Sequence, residues 1–155
     1  MIVKRGEGTR KQNRGNLMEI KKVDHIGIAV SDLEAAKGFY TKALGLNVEH
    51  EESLDGMRVA FIPVGGVNLE LIQSVTDEGV IAKFIAKQGE GVHHIAYEVE
   101  DVSSALEELK AQGVKLVDEV PRTGAHGKEV AFVHPKSSYG VLTELVCKKR
   151  TVQKA

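Results

Sequence analysis

The sequence contains no tryptophan, few other aromatic residues, a single cysteine and almost no net charge. Aromatic residues make up 5% of the 155 residues, and the formal net charge is -1 at pH 7. Proteins that bind nucleic acids use aromatic stacking and basic surfaces, and this composition favours neither. The lone Cys147 cannot form an internal disulfide, which fits a reducing compartment. Neither a nucleic-acid-binding protein nor a disulfide-stabilised secreted protein is indicated.

Long hydrophobic runs are also absent: no stretch approaches the roughly 18 apolar residues that cross a membrane, and no secretory signal core follows the N-terminus. The sequence therefore predicts a cytoplasmic protein with no membrane partner. Residues 1–17 are basic, glycine-rich and without apolar periodicity, which predicts a disordered leader or tag, with a partner-binding arm or a transit peptide as alternatives. Residues 148–155 are predicted to form a charged tail.

An internal repeat organises the rest of the chain. Residues 24–32 (DHIGIAVSD) match residues 93–101 (HHIAYEVED), with apolar side chains at every second position, as in a half-buried strand. A helical pattern follows each strand, over 33–44 and 105–112, with an Asp or Ser as N-cap and a glycine at its end. Two strand-like segments complete each copy: 59–62 and 68–72 in the first, 130–133 and 142–146 in the second.

Each copy thus predicts the order β-α-β-β-β. One copy alone would leave an unpaired sheet edge and an uncovered face, so the two copies are expected to pair. The predicted fold class is α+β, a single domain in which two paired βαβββ modules form a curved eight-stranded mixed sheet around a cleft. The predicted boundaries are 18–76 for the first module, 77–91 for a linker with a helix over 80–87, and 92–147 for the second module.

Strongly polar residues recur at equivalent places inside these apolar strands: His25 and Glu70 in the first copy, His94 and Glu144 in the second. Any one of them alone is better explained as a hydrogen-bonded histidine or a solvated glutamate. As a repeated set they favour one shared site, because two imidazoles and two carboxylates suit a divalent first-row metal ion. Calcium is less suitable, since it prefers oxygen donors.

The remaining four histidines have weaker claims to a site. His93 is expected to point to the opposite side of its strand and is left outside the metal set. His50 has no counterpart in the second copy, so surface placement is the default. His126 and His134 lie in the turn-rich strings GAHGK and VHPK, where lining the site and forming a turn are equally good interpretations.

These residues resemble the vicinal oxygen chelate superfamily, which includes glyoxalases, bleomycin resistance proteins and dioxygenases. The strings DHIGIAV, HHIAYEV, ELI and TELV carry the resemblance over residues 23–146. Within it, the chain is most similar to the methylmalonyl-CoA epimerase family, through AKFIAK, GVHHIAYEVEDV, TGAHGKEVAFVHPK and GVLTELV in that order. The resemblance implies a glyoxalase-like fold and a metal bound by His25, Glu70, His94 and Glu144.

The resemblance also implies an isomerase that interconverts the 2R and 2S epimers of methylmalonyl-CoA, by proton abstraction and return at C2 through a metal-stabilised enolate. It favours Co²⁺, with Mn²⁺, Ni²⁺ or Zn²⁺ as alternatives. Inversion needs an acid–base group on each face, and Glu144 matches one of them. Some members carry the second glutamate where Val59 stands here. Glu70 ranks first for that role, and the alternatives are bound water, His126 and the acidic residues Glu51, Glu52 and Asp55.

Coenzyme A carries anionic phosphates, so basic groups are expected at the cleft mouth. Lys128 and Lys136 are the candidates and Arg58 a weaker one, although each is equally well explained as a solvated surface residue. The family resemblance further implies a homodimer.

Three other functions compete with the epimerase. A glyoxalase I-like lyase acting on a glutathione hemithioacetal uses the same two histidines and two glutamates. A dioxygenase would use two histidines and one carboxylate and would leave Glu70 surplus. A non-catalytic drug-binding protein of this fold is expected to have a broken ligand set, whereas the set is complete here.

Overall fold

A computed structural model of the chain describes residues 18–150, with side chains up to Lys148. The predicted leader over residues 1–17 lies outside the described residues, as does most of the predicted tail. No helix within residues 18–150 is long and apolar enough to span a membrane.

Both copies of the repeat form the same series of elements. The first comprises β1 (Lys22–Ala29), α1 (Leu33–Gly38), β2 (His50–Leu54), β3 (Met57–Val64) and β4 (Val67–Ser74). The connecting segment contains α2 (Val80–Gln88). The second comprises β5 (Gly91–Glu98), α3 (Val102–Ala111), β6 (Arg122–Thr123), β7 (Lys128–Val133) and β8 (Thr143–Arg150).

The eight strands form one mixed sheet in the order β2-β3-β4-β1-β5-β8-β7-β6. Strands β1 and β4 are parallel, as are β5 and β8, and the two modules join through the antiparallel pair β1 and β5. The sheet curls into a half-barrel, which confirms the predicted fold class. Strands β2 and β6 form its two free edges, and a cavity lies on the concave face.

The central pair of strands explains why the repeat produces one site. Ile26 pairs with Ile95, and on either side His25 pairs with Ala96 and Gly27 pairs with His94. This register is symmetric about the Ile26–Ile95 pair, so the two histidines lie diagonally across from each other. Both point to the concave face, because residues separated by two along a strand share a face.

Helices α1 and α3 cover the convex face, each with its own apolar cluster. Leu33 of α1 packs with Ile62 and Leu71, whereas Leu106 of α3 packs with Leu145. Each helix begins at an aspartate N-cap: Asp32 accepts a hydrogen bond from the backbone N–H of Ala35, and Asp101 from that of Ser104.

Two helix boundaries differ from the sequence prediction. The helix predicted over 33–44 is regular only to Gly38 and continues as a π-helical turn over Phe39–Ala43. The helix predicted over 105–112 begins earlier, at Val102, because Asp101 caps it. The predicted linker helix is present as α2, and its Ile81 packs on the concave side of the first module, against Val59, Phe61 and Ile72.

Candidate active site

A cavity of about 480 Å³ lies on the concave face between the two modules. His25 of β1, Glu70 of β4, His94 of β5 and Glu144 of β8 all line it, and all four side chains are buried. The register accounts for this convergence: Gly27 pairs with Glu70 in the first module, as the equivalent Ala96 pairs with Glu144 in the second. The four residues that recur in the sequence therefore meet in one place.

The imidazole of His25 is the centre of this group. Its Nε2 atom lies 3.1 Å from His94 Nε2 and 3.0 Å from Glu144 Oε2. Its Nδ1 atom lies 2.7 Å from Asp24 Oδ2 and 3.1 Å from Glu70 Oε2. Glu144 and Glu70 thus contact opposite nitrogens of the same ring.

These contacts form two overlapping sets of metal-ligating atoms. His25, His94 and Glu144 can each offer one atom within 4.8 Å of the others, and so can Asp24, His25 and Glu70. Asp24, which is buried and bonded to His25, was not predicted as part of the site. Its position beside a candidate ligand was the available signal, because a carboxylate commonly orients a ligating imidazole through the second ring nitrogen.

The electrostatics of the site are dominated by its carboxylates. Burial alone would lower the pKa of His25, but its contacts with Asp24 and Glu144, and the charges of Glu70 and Glu144, raise it to about 10. Burial, together with the charges of Glu144 and Asp24, raises the pKa of Glu70 to about 7 against the opposing charge of His25. Burial lowers the pKa of His94 well below its usual value, and the charge of His25 acts in the same direction.

The site's own atoms fit a divalent metal ion. Two imidazole nitrogens and a carboxylate oxygen converge in it, because His25 Nε2 lies 3.1 Å from His94 Nε2 and 3.0 Å from the buried Glu144 Oε2. Three buried carboxylates, of Asp24, Glu70 and Glu144, surround the single cationic imidazole of His25. A bound cation would balance this negative charge, and mixed imidazole and carboxylate donors suit a first-row divalent ion.

Gly27 allows His94 to take its position in the site. A Cβ atom on Gly27 would lie 2.1 Å from His94 Cε1 and 2.4 Å from His94 Nδ1, so a larger residue there would require the ring to shift. The second copy carries Ala96 at the equivalent place. The requirement for glycine therefore arises from the packing of His94 and not from the repeat.

The expectation that His93 points away from the site is wrong. Gly27 pairs with His94 but the next residue, Ile28, pairs with Val92, so His93 is an extra residue in a β-bulge. A bulge interrupts the regular alternation of side chains. His93 borders the cavity, with its Nδ1 atom 2.9 Å from His94 Nδ1 and its ring against Phe84 of α2.

The two histidines in turns, His126 and His134, lie in different environments. His126 lines the cavity and contacts Phe61 and His50, which is itself half exposed. His134 lies in the turn after β7, where its Nδ1 atom accepts a hydrogen bond from the backbone N–H of Lys136.

The candidate basic residues are placed differently from one another. Lys128 lines the cavity, whereas Lys136 is exposed in the segment between β7 and β8 and is not part of the cavity wall. Arg58 pairs with Glu34 of α1 at 3.0 Å on the outside of the first module. Of these three residues, only Lys128 lies beside the buried group.

The sequence matches a family model described as the glyoxalase, bleomycin resistance protein and dioxygenase superfamily over residues 24–132. An ethylmalonyl-CoA/methylmalonyl-CoA epimerase of Cereibacter sphaeroides is 41% identical over 130 residues, which cover 81% of this chain and 97% of that protein. The matched region of the superfamily model includes three of the four recurring residues, His25, Glu70 and His94.

Solved structures agree with the sequence comparison. The crystal structure of methylmalonyl-CoA epimerase from Mycobacterium tuberculosis has a TM-score of 0.80 and 38% identity, covering 84% of this chain and 89% of that one. A methylmalonyl-CoA epimerase in complex with methylmalonyl-CoA and NH4+ also has a TM-score of 0.80, with 35% identity over 88% of this chain and 99% of that one. The chain therefore belongs to the glyoxalase, bleomycin resistance protein and dioxygenase superfamily and, within it, to the methylmalonyl-CoA epimerases, which are isomerases.

Proposed function

We propose that the protein epimerises methylmalonyl-CoA at C2, interconverting the 2R and 2S forms. The observation that carries the proposal is the convergence of His25, Glu70, His94 and Glu144 on one cavity in a chain of this family. The C2 proton lies between a carboxylate and a thioester carbonyl, so its removal needs a base and stabilisation of the negative charge that develops.

We propose that a divalent metal ion is held by His25, Glu70, His94 and Glu144, with Asp24 orienting His25 through Nδ1. When bound, such an ion acts as a Lewis acid towards the substrate's oxygen atoms. Co²⁺ is the proposed metal, with Mn²⁺, Ni²⁺ and Zn²⁺ as alternatives for the same donor set.

Glu144 is proposed to transfer the C2 proton on one face of the substrate. Its carboxylate is buried, lines the cavity and lies 3.0 Å from His25 Nε2 through Oε2, so it is placed to exchange a proton with a group bound in the cavity. Glu70 is the first candidate for the second transfer, because it is the carboxylate contributed by the other module.

Lys128 and Lys136 are proposed to bind the phosphates of coenzyme A. The position of Lys128 at the cavity supports its assignment. Lys136 is exposed outside the cavity and would bind the part of coenzyme A that extends beyond the cavity mouth. A homodimer and a cytoplasmic location belong to the same proposal. Both rest on the family resemblance and on the composition of the chain.

Two other substrates deserve a direct test. The Cereibacter sphaeroides relative is named for ethylmalonyl-CoA as well as methylmalonyl-CoA, so ethylmalonyl-CoA is a second candidate for this cavity. The glutathione hemithioacetal of methylglyoxal is the substrate of the competing glyoxalase I-like function. The same buried groups would serve proton transfer in either case.

The first experiment is an epimerisation assay with metal-stripped protein, with and without added Co²⁺, on separate 2R and 2S substrates. Metal-dependent interconversion of methylmalonyl-CoA is the expected result. Turnover of the hemithioacetal without epimerisation would assign the site to a glyoxalase. No activity on any of the three substrates, in protein that contains no stoichiometric metal, would favour a binding protein.

A further inference from the structure

His126 reaches the cavity from the far edge of the sheet. It lies in a 3₁₀ turn (Ala125–Gly127) between β6 and β7, at the end of the sheet opposite β2. Its ring nevertheless lies 4.8 Å from the ring of Phe61 on β3 and 5.2 Å from that of His50 on β2, measured between centroids. The turn therefore crosses the mouth of the half-barrel and places one imidazole from the second module against the wall of the first.

The backbone at His126 is in a conformation that non-glycine residues rarely adopt. Its φ is 58° and its ψ is 22°, in the left-handed region, which costs roughly 1 kcal/mol or more for a residue with a Cβ. The preceding Ala125 packs on the apolar cluster of Val59, Phe61 and Ile81, which holds the turn in place. Glycine would satisfy this backbone at lower cost, so the imidazole itself requires an explanation.

The surroundings of the ring suit proton transfer. Its Nδ1 atom lies 4.0 Å from Glu52 Oε2, and its side chain is 35% exposed, so water can exchange protons with it. No residue between 18 and 148 forms a hydrogen bond with its Nε2 atom, which leaves that nitrogen available to a ligand in the cavity. Imidazole is the side chain most often used for general acid–base catalysis near neutral pH.

Glu70 is less well placed for the second transfer than His126. Glu70 and Glu144 contact the two nitrogens of the same His25 imidazole, at 3.1 Å and 3.0 Å, so both already belong to the buried group that is proposed to hold the metal. Inversion at one carbon needs proton donors and acceptors on opposite faces. His126 contacts none of these three groups within hydrogen-bond distance and instead packs on Phe61.

We propose that His126 is the second catalytic acid–base residue and works opposite Glu144, while Glu70 serves the metal site. This inference rests on the proposed epimerase function and deepens it. In one direction the Glu144 carboxylate takes the C2 proton, and the electron pair of the broken C–H bond moves into the enolate. The imidazolium of His126 then gives its proton to the opposite face of C2, and the new C–H bond takes the electron pair back.

Exchange with solvent returns both residues to their starting protonation states. After that turnover Glu144 is protonated and His126 is neutral, and exchange with water restores both groups. In the reverse direction neutral His126 removes the proton and protonated Glu144 returns one. Each residue therefore removes the C2 proton from one epimer only. The assignment can be tested by measuring proton removal from each epimer separately.

The test follows exchange of the C2 proton in D₂O separately from interconversion, starting from pure 2R or pure 2S methylmalonyl-CoA. The proteins are the metal-loaded full chain and its variants His126→Asn, His126→Gln, Glu144→Gln and Glu70→Gln. Asparagine is used because it tolerates the left-handed backbone of position 126. His134→Asn is the matched control, since that ring only accepts a local backbone hydrogen bond. Circular dichroism and metal content verify that each variant is folded and loaded.

The expected result for both His126 variants is interconversion reduced by about 100-fold or more, with exchange preserved for one epimer and lost for the other. Glu144→Gln should preserve the opposite exchange, and His134→Asn should behave as wild type. Near-wild-type interconversion in folded His126 variants, equal loss of both exchanges, or the one-epimer pattern in Glu70→Gln instead would overturn the assignment. A wild-type protein without epimerase activity would instead refute the proposed function, on which the assignment depends.

Discussion

At the scale of single residues, Gly27 decides whether His94 can occupy the site. A Gly27→Ala substitution would place a Cβ 2.1 Å from the His94 ring and displace that ring, because the three nearest atoms are all side-chain atoms of His94. We expect the metal affinity to fall by about 10- to 100-fold, the usual range when the orientation of a ligand is disturbed. Calorimetric titration with Co²⁺ measures this change.

Gly38→Ala is the matched control for that substitution. Gly38 has helical backbone angles, and a Cβ there would meet no atom within 4 Å. Alanine in a helix is favoured over glycine by up to about 1 kcal/mol, so this variant should be equally or more stable and bind metal normally. Equal metal affinities in the two variants would contradict the role given to Gly27.

The pKa values of His25 and Glu70 predict that metal binding releases protons. In protein prepared without metal, His25 has a pKa of about 10 and Glu70 of about 7, so below pH 7 both must lose a proton before they can bind. We expect release of about two protons near pH 6 and about one near pH 8, and hence an affinity that rises with pH. Calorimetry in buffers of different ionisation enthalpy counts the protons. Binding with no proton release at pH 6 would exclude His25 as a ligand.

At the scale of elements, the helices stabilise the fold from the face opposite to the site. Asp101 caps α3 through the backbone N–H of Ser104 at 3.1 Å, and α3 packs on the convex side against Leu145. We expect Asp101→Ala to lower the free energy of unfolding by about 1 kcal/mol and to leave kcat unchanged. Urea denaturation and the epimerisation assay measure the two effects.

Asp101→Asn is the control for the cap, because asparagine caps helices about as well as aspartate. It should retain the stability that Asp101→Ala loses. A drop in kcat in fully folded Asp101→Ala would show that α3 influences the concave face and that the two faces are not independent.

Irregular elements mark the limit of prediction from pattern. Strand alternation places His25 and His94 correctly, because the register around Ile26 and Ile95 is regular. It fails for His93, since a bulge depends on how β5 pairs with β1 and no local pattern in the sequence indicates it. The π-helical turn after Gly38 was missed for a similar reason: it departs from the regular spacing of a helix.

At the scale of the whole molecule, the proposed metal ligands come from four strands of both modules, so a bound ion would link the two halves. Saturation at 1,000 times Kd stabilises a folded protein by about 4 kcal/mol. We expect the Tm of wild type to rise with added Co²⁺ and that of Glu144→Gln to rise much less. Differential scanning calorimetry measures both.

Glu107→Gln is the matched control for that measurement, because Glu107 lies exposed on α3, far from the cavity wall. Its Tm should rise with Co²⁺ as in wild type. An unchanged Tm in wild type, or the same rise in Glu144→Gln, would argue against the proposed ligand set.

The sequence by itself determined the modules and the group of residues that recur in them. Apolar alternation, helix caps and terminal glycines are local signals, so the order β-α-β-β-β can be inferred from one chain. The repetition of a histidine and a glutamate in each copy then singled out four residues, because a two-fold repeat brings equivalent positions to one axis. The coarse fold and the reaction class followed from the family that these strings resemble.

Only the tertiary structure decided how those residues meet and what else joins them. Asp24 and Gly27 contribute through contacts with His25 and His94 across or beside the β1–β5 pair, which no spacing along the chain records. His126 reaches the first module only because the sheet curls until its two edges approach each other. Curvature, bulges and cross-strand packing depend on residues distant in the chain, and for that reason the sequence alone left them open.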